Sequence, residues 1–460
     1  MHKRARTGLA TAAATTAVLA ASGITSAPAH AAEGDPVENR VLVVAVDFKD
    51  AEHADADAVK ENARKEYFGG SESIASYYTK VSQGAFTYVP AAKDEVVGPY
   101  ALDLPQNPCD ASAVMKAAKE AVLADGYTEK EDYDSISVLQ PSAGSECSWA
   151  GLGSVPGPNT WLQVGEESKV SKGAMVHEFG HNQGFGHHER DECPGGDLGR
   201  CTEGEGHSRK TPMGAGGPGV GFAAPELISK GWLPDGQAVT VTESATFTLS
   251  PLYGGKAGGV RALDIPLGKS RLVVEYRHED PTHTDGDDGN LDAAIEGVHA
   301  YLVPEGDYDH SRLVDPTPGE TGGTGKEDAI TSLTDTANKV RVDVGRSGDG
   351  SATVSVSLDG VPAPEAARSS AQGITATPAP QTRTQTGEGA PVDEKGTDAE
   401  APAAPAAPDH RAKTDGAATQ NLAETGAGST TPLIAGAGAV LAAAGALCLY
   451  ALRRRGRRSA

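Results

Sequence analysis

The stretch HEFGHNQGFGH, His177 to His187, places the tightest demand on the fold of this chain. His177 and His181 stand four residues apart, so on a helix their imidazoles share one face, one turn apart. Glu178 projects sideways from the first of them. Gly184 is placed to stop the helix in a left-handed conformation, after which the chain can turn back and bring His187 to the other two. The spacing therefore predicts a helix from about Lys169 through VSKGAMVHEFGHNQ, ending where three ring nitrogens meet. Three neutral imidazoles suit one Zn2+ ion and leave its fourth position to water, the open arrangement of a catalytic site. Glu178 is then within reach of that water as a general base, without being a ligand. His188 directly follows His187 and would ligate instead if the loop shifted by one residue. The spacing after Gly184 favours His187 and leaves His188 to packing or an outer contact.

H-E-x-x-H alone is a moderate signal in a chain with 13 histidines. The glycine and the third histidine at regular steps set aside a histidine-rich surface helix. With that extended motif the chain resembles the metzincins, zinc endopeptidases that carry a methionine turn downstream. RKTPMGAGG offers Met213 for the turn, beneath the metal by analogy; ordinary core filling is the other use of a methionine. Within the metzincins the likeness is to the gametolysin-like group and its bacterial relatives. VLVVAVDF, SIASYYTKVSQGAFTY, HEFGHNQGFGH and GFAAPELISKGWL look like that group's landmarks, over about Val41 to Leu233. Algal members vary at the first motif residue, whereas this chain keeps His177. Some metzincins add a tyrosine just after the methionine turn; here the next is Tyr253, too far along to nominate.

Short apolar runs alternate with helical stretches up to about residue 170, the pattern of an α/β layer. Val41 to Val46 is continuous and largely β-branched, as in a central strand covered on both faces. Asp55 or Asp57 starts a helix, another ends at Gly84, and Asp110 caps a third. From Gln237 the texture becomes short alternating segments split by turn residues, an all-β pattern ending near Asp359. The expected architecture is an α/β metzincin-type catalytic domain, a mixed twisted sheet plus active-site helix, over 36–235. A β-sandwich-like domain over 236–360 follows, then an Ala/Pro/Thr-rich disordered spacer over 361–421.

The ends of the chain carry addresses. Residues 1–31 read as a signal peptide: Lys3, Arg4 and Arg6, an apolar stretch, then Ala29-His30-Ala31. LAETG at 422–426 precedes an apolar segment at 431–452, long enough to cross a bilayer, and a basic cytoplasmic tail at 453–460. This tail resembles the cell-wall sorting signal of Gram-positive surface proteins. The resemblance implies cleavage by a sortase between Thr425 and Gly426 and attachment to peptidoglycan; a plain tail anchor is the alternative. An exported, wall-displayed monomer is expected.

Five cysteines are present, and Cys448 lies in the tail segment. Cys109, Cys147, Cys193 and Cys201 remain for two disulfides, with three connectivities open. Sequence neighbours suggest Cys193–Cys201 and Cys109–Cys147, and a cysteine switch at Cys109 is a further alternative. The net charge of −23 is spread along the chain, and without a basic face it argues against nucleic acid. DGDDGNLD, Asp285 to Asp292, could hold Ca2+, but it departs from an EF-hand loop, and an acidic solvated turn is the favoured reading. Asn159 to Val164 is the candidate edge strand for an extended peptide substrate, with an inner strand as the alternative. His207 and His299 read as surface or satisfied histidines. Two function classes remain: a zinc endopeptidase, or a surface adhesin on a metalloprotease-like scaffold. Glu178 favours the first, because a general base has no packing value in a retired site.

Overall fold

A computed structural model describes residues 35–364, apart from 92, 166, 255–257, 279–294, 318–328 and 349, together with the backbone of 377–378 and 422–426. The predicted signal peptide, membrane segment, basic tail and 285–292 loop lie outside the described residues, as does most of the spacer. Among the described residues no helix is long and apolar enough to cross a membrane.

The first half is a mixed α/β sheet with few helices. β1 (Val37–Asp47) is followed by α1 (Ala56–Phe68), α2 (Ile74–Val81), β2 (Phe86–Pro90), β3 (Val96–Ala101), α3 (Ala111–Ala124), β4 (Ser135–Pro141), β5 (Trp149–Ser154), β6 (Asn159–Val164) and α4 (Lys172–Asn182). β1 is central. β2 and β3 pair with successive parts of one of its edges and β4 with the other, all parallel. β6 continues parallel to β4, and β5 closes the order antiparallel to β6. Val41 to Val46 are all buried, because α1, α2 and α4 cover one face and α3 the other. The helix caps follow the sequence: Asp55, Ser73, Asp110 and Ser171 each accept a backbone N–H in the first turn.

The edge strand differs from the expectation. Asn159–Val164 lies inside the sheet between β4 and β5, so β5 takes the outer position among the strands of the first half. On its outer side β5 pairs antiparallel with Leu422–Gly426, Leu422 opposite Ser154 and Gly426 opposite Trp149.

The second half is mostly β, with one short α-helix between its second and third strands. β7 (Glu189–Glu192), β8 (Thr202–His207), α5 (Ala224–Lys230), β9 (Ala238–Thr240), β10 (Ala245–Leu249), β11 (Ala262–Leu267), β12 (Ser270–Arg277), β13 (Gly297–Val303), β14 (Arg312–Asp315), β15 (Ser332–Asp335), β16 (Val340–Gly348) and β17 (Ser351–Ser357) complete the chain order. One sheet runs β9-β11-β12-β13-β14-β7-β8, and a four-stranded sheet runs β10-β17-β16-β15. β12 shows why the halves cohere. Leu272, Val274 and Tyr276 pack into the core shared with the smaller sheet, whereas Val273 joins the core of the first half. The sheet therefore crosses the expected boundary at residue 235: β7 and β8, from the metal-motif region, are two of its strands.

The disulfides Cys109–Cys147 and Cys193–Cys201 are both formed, closing sequence separations of 38 and 8.

Candidate active site

α4 carries the first two histidines. It begins at Lys172, capped by Ser171 and three residues later than the spacing suggests, and Gly184 at φ +101 turns the chain after its end. The loop then enters β7, so His187 is held between α4 and the sheet of the second half. β7 is fixed there by β14 in parallel and by β8 antiparallel, and buried Arg190 pairs with Asp315 and with Glu192.

The structure brings His177, His181 and His187 together, with one ligand atom of each within 4.8 Å of the others. Their hydrogen bonds set the tautomers. His177 Nδ1 lies 2.7 Å from the carbonyl of Pro212, and His181 Nδ1 lies 2.7 Å from that of Phe185. A carbonyl only accepts, so Nδ1 carries the proton in both rings and Nε2 carries a lone pair. The two Nε2 atoms face each other at 3.0 Å. Two lone pairs at that distance repel, and a cation shared between them reverses the sign. Burial lowers His177 to about 4 and His181 to about 3, and burial also lowers His187, with a smaller contribution from the neighbouring His207. All three rings are therefore neutral at pH 7, the form that ligates. The donor set fits one borderline divalent ion.

Glu178 is fully buried on the flank of α4 that faces β5. A side chain at Gly151 would place its first carbon 2.6 Å from Glu178 Cγ, and one at Gly153 would collide with the Glu178 carbonyl and lie 2.9 Å from His181 Cβ. The Gly151-Leu152-Gly153 sequence thus lets the edge strand lie directly on the metal helix. Sequence reasoning missed these glycines, although small residues alternating on one face of a strand are the signal for such an approach.

Met213 is buried beneath α4, its sulfur against Gly180. The turn around it is tied on several sides: Pro212 accepts from His177, and Met213 accepts from the backbone N–H of His188. Thr211 Oγ1 donates to Glu226, Arg277 donates to the carbonyls of Lys210 and Gly221, and Tyr301 donates to Glu275. Through β12 and β13 the second half therefore holds the floor of the site.

His188 points away from the triad. It is fully buried, with Nδ1 3.0 Å from Ser311 Oγ and Nε2 3.6 Å from Glu226. Tyr253 is also committed elsewhere, donating to the Phe222 carbonyl and lying against Arg277. His299 is buried and hydrogen-bonded to the Ile295 carbonyl. His207 stands at the edge of the triad, its ring 5.6 Å from that of His187. No spacing rule in the sequence pointed to it.

Residues 40–264 match the model of the gametolysin peptidase M11 family. The match supports a metallopeptidase that acts on peptide bonds, and the histidine triad lies inside the matched segment. No curated protein matches the chain. Among solved structures, catalytically inactive OgpA from Akkermansia muciniphila in complex with an O-glycopeptide is similar at 11% identity and a TM-score of 0.28, covering 59% of this chain and 85% of that one. Archaemetzincin from Methanopyrus kandleri is similar at 15% identity and a TM-score of 0.21, covering 42% of this chain and 87% of that one.

Proposed function

We propose that this chain is an exported, wall-anchored zinc endopeptidase of the metzincin type. The reading rests chiefly on the paired Nε2 atoms of His177 and His181, 3.0 Å apart with both protons committed elsewhere. His177, His181 and His187 would hold the zinc ion. When bound, the ion polarises the scissile carbonyl and makes a water acidic enough to lose a proton near neutral pH.

The rest is the work of the chain. An extended peptide lies antiparallel along the outer edge of β5, adding backbone hydrogen bonds as Leu422–Gly426 does. That strand passes beside Glu178. The Glu178 carboxylate takes a proton from the attacking water as its oxygen bonds to the carbonyl carbon, then delivers that proton to the amine nitrogen as the C–N bond breaks. Met213 and the buried ties from β12 and β13 keep the histidine rings in place. The signal sequence and the LAETG tail are the support for export, for sortase and for peptidoglycan as partners.

Digestion of a proteome-derived peptide library, with and without a zinc chelator, tests the reading. Cleavage abolished by the chelator and restored by zinc is expected. A protein that binds a partner yet hydrolyses no peptide would favour the adhesin.

A further inference from the structure

His207, the last residue of β8, sits opposite Glu189 of β7, and its side chain is exposed. Its ring lies 5.6 Å from that of His187. No hydrogen bond of this ring occurs among the described residues. Its placement relative to Glu178 is informative. Glu178 occupies the flank of the triad that packs on β5, whereas His207 stands on the flank built by β7 and β8. A carbonyl held at the triad would have a carboxylate on one side and an imidazole on the other. Tyr253, the next tyrosine after Met213, is buried and bonded to Phe222, so it supplies no donor there.

We propose that His207 is a catalytic residue, its ring N–H donating a hydrogen bond to the scissile carbonyl oxygen as that oxygen gains negative charge. The proposal deepens the peptidase reading and rests on it. As the water oxygen bonds to the carbonyl carbon, the π pair moves onto the carbonyl oxygen and the water proton goes to Glu178. When the C–N bond breaks, the carbonyl re-forms and the amine takes that proton; His207 keeps its own throughout. A donor that meets the oxygen at full strength only when it is charged stabilises the transition state more than the bound peptide. The competing role is a prop for the His187 ring, which would make His207 a determinant of metal retention instead.

The test compares His207→Phe, His207→Gln and wild type as full chains. It measures zinc per chain, kcat and KM on a fluorogenic peptide, and the Kd of a phosphinic peptide, whose anionic tetrahedral group mimics the charged oxygen. The expected result for His207→Phe is unchanged zinc, kcat lower by about a hundredfold, KM within about threefold, and phosphinic affinity weakened in parallel. His207→Gln, which keeps an N–H donor, recovers part of both losses. Unchanged kcat and phosphinic affinity in His207→Phe would overturn the proposal. So would zinc lost in step with activity, which would assign the prop. A wild-type chain that takes up zinc but cleaves nothing would instead overturn the peptidase reading, and the two phosphinic affinities would still decide on His207.

Discussion

Replacing Gly151 with alanine would set a methyl carbon 2.6 Å from Glu178 Cγ and 2.9 Å from Leu162 Cδ2. Apolar carbons rest at about 3.5–4.0 Å, so something must yield by about 1 Å. Leu162 is fully buried in the core, and β5 is held by its ladder to β6. The Glu178 side chain is left to swing. A displacement of about 1 Å in a catalytic group costs roughly a hundredfold in rate, and overpacking of this kind costs about 1–3 kcal/mol of stability. Gly151→Ala should therefore lose about two orders of magnitude in kcat/KM while zinc content stays at the wild-type level, because the collision falls on Glu178 and not on a histidine. Peptide turnover, elemental analysis and a thermal melt on one preparation give all three numbers. Wild-type kcat in a folded Gly151→Ala protein would refute the idea that β5 fixes the general base. Gly153→Ala is the companion, since its methyl group meets the α4 backbone and His181 Cβ; it should lower zinc affinity as well.

Glu178→Ala should retain zinc and cleave no peptide, and unchanged cleavage would remove Glu178 as the base. Burial raises the Glu226 carboxyl to about 8 from its ordinary 4.5, so the folded chain keeps a proton that the unfolded chain releases. That contribution to stability is complete below about pH 4.5 and lost as pH rises through 8; melts from pH 5 to 9 should show it, and Glu226→Gln should flatten the slope. Opening Cys109–Cys147, with its separation of 38 residues, should destabilise by about 4 kcal/mol on loop entropy, against about 2.5 kcal/mol for Cys193–Cys201; denaturant unfolding of Cys→Ser pairs ranks them. A chain ending at residue 364 lacks the segment that pairs with β5, so its KM for peptides should fall, and an equal KM would deny that 422–426 competes for that edge.

The metal helix was legible because its information is local: a four-residue step, one glycine, one further step. The same holds for the aspartate and serine caps and for β1, whose unbroken apolar run needs cover on both faces. The sheet edge was not legible. WAGLGS and NTWLQV are both short, and which lies outside depends on pairing with β4, far away in sequence. ERDE carries no strand signal, yet it forms β7 because Arg190 pairs with Asp315 of β14, a partner 125 residues away. That pairing also joins the two halves, which the change in texture near residue 237 had suggested were separate. His207 reaches the triad through the same sheet, so no spacing within the motif could have nominated it.

On the peptidase reading, the lone pairs of His177, His181 and His187 converge on one ion. Zinc titration of the metal-free protein, followed by elemental analysis after extensive dialysis, tests it directly. One equivalent per wild-type chain is predicted, lost in His181→Ala and retained in His188→Ala. No retained zinc in the wild type, or full retention in His181→Ala, would contradict it.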